Sequence, residues 1–63
     1  MTVDDARTII CSAGYSPVQT GDRPNIIQIF ETGGLQPIGE VRTDGEHADD
    51  SDLTNFLMSR KGR

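Results

Sequence analysis

Cysteine occurs once, at Cys11, and histidine once, at His47. A lone cysteine closes no internal disulfide, so the chain is not read as a secreted, disulfide-framed scaffold. One histidine and one distant cysteine make a poor transition-metal set, and no metal site is expected. No apolar run approaches the roughly 20 residues of a membrane-crossing helix. The first residues, Met1-Thr2-Val3-Asp4-Asp5, are acidic where a secretory leader is basic. The expectation is a cytoplasmic protein with no membrane association. No stretch of the 63 residues carries a specific catalytic or cofactor signature, so neither enzymatic activity nor a cofactor is expected.

What the chain does have is negative charge. Ten acids face six basic residues, and three of those six lie in Arg60-Lys61-Gly62-Arg63. Up to Ser59 the acids therefore meet only Arg7, Arg23 and Arg42. A body charged in this way is repelled by phosphate backbones and drawn to basic surfaces, so direct nucleic-acid binding is not expected. The basic tail could touch RNA or another polyanion, but reads more readily as the complement of a helix C-terminus.

The length sets one domain, residues 1–63, which buries about 60% of the surface its unfolded chain exposes. Thr2 with Asp5 approximates a capping box, and Val3, Ala6, Ile10 and Ala13 recur at helical spacing until Gly14. Gly14 at C′ would set Tyr15 against Ile10 in a Schellman termination. Ser16-Pro17 and Gly21-Asp22-Arg23-Pro24 are turn chemistry around a short extended piece at Val18 to Thr20. Residues 25–32 read as a strand, Gly33-Gly34 as a two-residue hairpin loop and residues 35–42 as the returning strand. That register pairs Phe30 with Pro37, Ile29 with Ile38 and Ile26 with Val41. It makes Ile26, Phe30, Leu35, Pro37 and Val41 the expected core face. Pro37 donates nothing to a ladder, so its strand is an edge or begins after a bulge.

Leu53, Phe56, Leu57 and Arg60 lie at helical spacing behind an expected cap at Asp50 or Ser51, with Gly62 closing the helix. The expected fold is a small two-layer α+β domain: helix, two- or three-stranded antiparallel sheet with its hairpin at Gly33-Gly34, helix. A core this small leaves little surplus over conformational entropy, which makes a homodimer a further expectation.

"TDGEHADDSD", residues 43 to 52, places Asp44, Glu46, Asp49, Asp50 and Asp52 in one window without a lysine or arginine. Its spacing does not make a calcium loop: counted from Asp44, a ligand position falls on Ala48, and counted from Asp50, the required glycine falls on Asn55. Cys11 with His47 as base is a poor nucleophile pair, because a thiol in the last turn of a helix feels the negative end of the dipole and a buried or half-buried thiol is expected. Gly33-Gly34 precedes no helix and cradles no phosphate. The acids then have two readings. One is a solvated connection that caps the last helix. The other is a carboxylate array, with Asp4 and Asp5 as auxiliaries, that occupies a lysine- and arginine-lined surface of a partner protein.

In overall character this acidic, motif-free chain resembles the small inhibitors that bacteriophages and mobile elements encode, notably anti-CRISPR and anti-restriction proteins. The resemblance implies stoichiometric inhibition of a host nucleic-acid-binding defence complex, by mimicry that covers its nucleic-acid groove or by covering a subunit contact. The order of elements is similar to that of double-stranded-RNA-binding domains, whose second helix begins with basic residues. Here that position reads Asp49-Asp50-Ser51-Asp52, so RNA binding through it does not follow. The alternative reading is a dimerising structural or regulatory module, joined through apolar contacts around Ile27, Ile29 and Ile38 or by strand addition at the Pro37 edge.

Overall fold

A computed structural model describes residues 1–61, the side chain of Lys61 excepted. Thr2 accepts a hydrogen bond from the Asp5 amide at 3.1 Å and starts α1, Val3–Ser12. Gly14 ends it with φ +92°, a left-handed conformation that glycine adopts without Cβ strain, while its amide donates to the Cys11 carbonyl. Strands β1 (Tyr15–Thr20), β2 (Arg23–Glu31) and β3 (Pro37–Arg42) follow, then α2, Asp50–Lys61. The sheet is antiparallel in the order β1-β2-β3, so the expected α+β architecture and the edge position of the Pro37 strand are both present. The expected helix stop at Gly62, and Arg63 of the basic tail, lie outside the described residues. No described helix is long and apolar enough to cross a membrane.

The turns differ from the expected ones: Ser16-Pro17 lies inside β1, which starts at Tyr15, and both connections between strands change. The β1–β2 turn is Gly21-Asp22 alone, because Arg23 pairs with Thr20 and Pro24 enters the strand. Pro24 is tolerated there because the β1 ladder is irregular beyond Val18 and asks no amide of it. The β2–β3 connection runs over residues 32–36 rather than Gly33-Gly34. Phe30 does face Pro37, but Ile38 is then an extra residue, and the pairs beyond it are Ile29 with Gly39, Ile27 with Val41 and Ile26 with Arg42. That bulge moves Val41 to the other parity.

The expected core face is thereby corrected. Ile27, Ile29 and Val41 have no exposed surface, and they pack with Ala6 and Ile10 of α1, Leu53 of α2 and Ala48. Since residues of both helices share this cluster with one parity of β2, both helices lie on one face of the sheet: α1 over β1 and α2 over β3. Leu35 is 95% exposed and Met58 66%. Ile27 and Ile29, offered above as a dimer surface, are interior.

At Gly39 a side chain of α2 rests directly on the sheet. A β-carbon at Gly39 would lie within 2.6 Å of Phe56 Cε1, so the ring rests on bare backbone. Phe56 also meets Tyr15 edge to face, with centroids 5.3 Å apart, which ties the start of β1 to α2 across the sheet. Gly39→Ala is expected to destabilise the domain by about 1–3 kcal/mol through this overlap. Urea denaturation of Gly39→Ala, Phe56→Leu and the double variant checks it: the double must cost less than the sum of the singles.

Candidate functional site

The acidic segment is built by short hydrogen bonds. Asp44 Oδ1 accepts from the amides of Glu46 (3.0 Å) and His47 (2.8 Å), and Gly45 donates to Thr43 Oγ1, so residues 43–47 form a tight side-chain-closed turn. Val3 donates its amide to the Glu46 carbonyl and Ala48 donates to the Met1 carbonyl. With the Thr2–His47 bridge, these bonds lash the turn to the start of α1. Ala48 is driven inside, 6% exposed, and closes the core beneath.

The cap of α2 is Asp49, one residue earlier than expected: its Oδ1 accepts from the Asp52 amide at 3.1 Å. Asp52 turns instead to Arg42, at the end of β3. The guanidinium donates Nε to Oδ2 at 2.8 Å and a second nitrogen to Oδ1 at 3.2 Å, and the Arg42 amide donates to Oδ2 as well. This is the planar two-pronged geometry particular to arginine. Asp49 Oδ2 lies 3.6 Å from the same guanidinium. Asp50 Oδ1 is 2.8 Å from the Met1 amino group.

Four of the five window acids therefore do local work: Asp44 closes a turn, Asp49 caps, Asp50 holds the Met1 amine and Asp52 holds Arg42. Glu46 has no cation within ion-pair distance among the described residues, and the same holds for Asp4 and Asp5. The Val3–Glu46 bond brings Glu46 to the first turn of α1, so these three exposed acids share one end with Asp44 and Asp50. Asp49 and Asp52 sit to the side, against Arg42.

His47 and Cys11 are not brought together. His47 bridges to Thr2 at the start of α1 and Cys11 lies in its last turn, about 13 Å away along the axis. The Cys11 thiol is exposed, contrary to expectation, because the buried stripe of α1 is Ala6 and Ile10. Among the described residues no three of His, Cys, Asp and Glu converge as a metal ligand set. Arg42, Asp44, His47, Ala48 and Asp49 border an open hollow of about 250 Å³. The sequence reading missed the Arg42–Asp52 pair; its signal was an arginine at the end of the strand that precedes the helix.

Comparison with protein-family models, with curated proteins and with solved structures finds no match.

The Arg42 guanidinium, and then the Arg42 amide, hold the Asp52 carboxyl below the usual aspartate range. The amides of His47 and Glu46 do the same for Asp44. A carboxyl whose folded pKa is depressed contributes stability that is full above about pH 4 and lost as pH falls through the folded value. Urea midpoints should hold from neutrality to about pH 5 and decline below pH 4. Asp52→Asn should lower the neutral plateau and shallow that acid decline; a decline parallel to that of the parent chain would refute the role given to Asp52.

Proposed function

We propose that the chain is a non-enzymatic binding protein that presents its acidic end to a lysine- and arginine-lined surface of a partner protein. The observation that carries this reading is the backbone bond from Val3 to the Glu46 carbonyl. It sets Glu46 beside Asp4 and Asp5, three exposed carboxylates with no cation within ion-pair distance among the described residues. Asp4 and Asp5 also suit the positive end of the α1 dipole, whereas Glu46 has no such local use. Asp44 and Asp50 add charge at the same end, while Asp49 and Asp52 serve it through Arg42 by fixing where α2 begins.

A basic surface that fits these carboxylates is the kind that nucleic-acid-binding proteins offer to phosphates. Occupying it would inhibit such a protein stoichiometrically, in line with the resemblance to phage-encoded inhibitors. The carboxylates would act mainly on encounter rate and on choice of partner.

The triple variant Asp4→Asn, Asp5→Asn, Glu46→Gln removes the charges that fold the chain least. The parent chain should capture basic proteins from lysate at low salt and release them as salt rises. The triple variant, folded by circular dichroism, should bind the same proteins roughly tenfold more weakly or worse. Capture that is indifferent both to salt and to the triple change would sink the reading.

A further inference from the structure

The helices cover one face of the sheet and leave the other bare. On that bare face Phe30 pairs with Ser16 and Pro37, and Gln28 with Val18 and Glu40; Ile26 lies opposite Arg42, whose guanidinium is held by Asp52 of α2. Val18, Ile26 and Phe30 are part-exposed and do not join the core packing. Leu35, 95% exposed, sits in the loop at the end of β2.

We propose that this face is a self-association surface, covered by the same face of a second copy of the chain. Charge selects that occupant. Nine of the ten acids lie in the helices, the turns or the opposite parity of β2, and Glu40 alone stands on this face. Arg23 lies 3.3 Å from Glu40, so the face is locally neutral on a chain of net charge −4. Two copies meeting here keep their other acids apart. A two-fold contact needs a self-complementary surface, and one arginine beside one glutamate lets Arg23 of each copy face Glu40 of the other. Need points the same way: seven buried residues among those described and no disulfide make a small core, and oligomerisation is a common support for domains of this size. The inference does not rest on the acidic-end reading.

Sedimentation equilibrium over a concentration series, in low and in high salt, tests it on the full chain. The expected result is a reversible rise from one chain toward two that persists in high salt and in the Asp4, Asp5, Glu46 triple variant. Phe30→Lys and Gln28→Lys put a charge in the middle of the face. Gln28→Lys decides the matter, because it removes no apolar contact from the fold. With an unchanged circular dichroism spectrum it should weaken association roughly tenfold or more. A chain that stays single up to about 1 mM overturns the proposal, as does a dimer that Gln28→Lys leaves intact.

Discussion

Two short helices can roof only one side of a three-stranded sheet, and the rest of the structure follows from which parity of β2 they cover. Ile27 and Ile29 go under the roof. Val41 joins them because the bulge at Ile38 shifts it opposite Ile27. Gly39, opposite Ile29, then faces α2 with no side chain, and Phe56 fills the gap. Each step needs the one before: without the bulge Val41 would look outward, and with a side chain at Gly39 the ring of Phe56 would be lifted off the sheet. The core is small enough that losing any of these contacts removes a large part of its apolar burial.

The charges obey a second constraint, that both helices begin at the same end. Helix N-termini carry unpaired amides and partial positive charge, so carboxylates gather there for reasons of stability alone. Asp49 caps, Asp52 grips Arg42 across the strand-to-helix corner, and Asp44 holds its own turn closed. Arg42 is central to this end because β3 delivers it at the point where α2 must start. What is left after these local uses is a smaller set, Glu46 with Asp4 and Asp5, and a binding role for the acidic end falls on them first.

The elements themselves were legible in the sequence: the Thr2 cap, the Gly14 stop, the strand around Ile26 to Glu31 and the stripe of Leu53, Phe56 and Leu57 each carry a local rule. The inward face was not, because β2 is apolar on both parities. One residue speaks against the expected face. Gln28 lies between Ile26 and Phe30 on that parity, and a buried glutamine would need hydrogen-bond partners that an apolar roof does not offer. The bulge at Ile38 left no such trace beyond Pro37, since an extra residue in one strand is a property of the pair. The same limit applies to the acids. The window looks like an unpaired array when read along the chain, yet the Met1 amine and Arg42 reach it through space from outside it.

The apolar residues on the bare parity then need a reason of their own. Were Ile26 and Phe30 simply the solvent side of a half-covered antiparallel strand, the usual alternation would make them polar, as Gln28 and Glu40 are. They are instead β-formers that strengthen the strand at the cost of exposed apolar surface, and acids are nearly absent beside them. Elsewhere the chain spends its carboxylates on helix starts and turns, where two copies would repel each other. Ionic strength separates the two proposed contacts, the acidic end with a basic protein and the bare face with a second copy: salt screens exposed carboxylates within about 8–10 Å but leaves apolar contact undiminished.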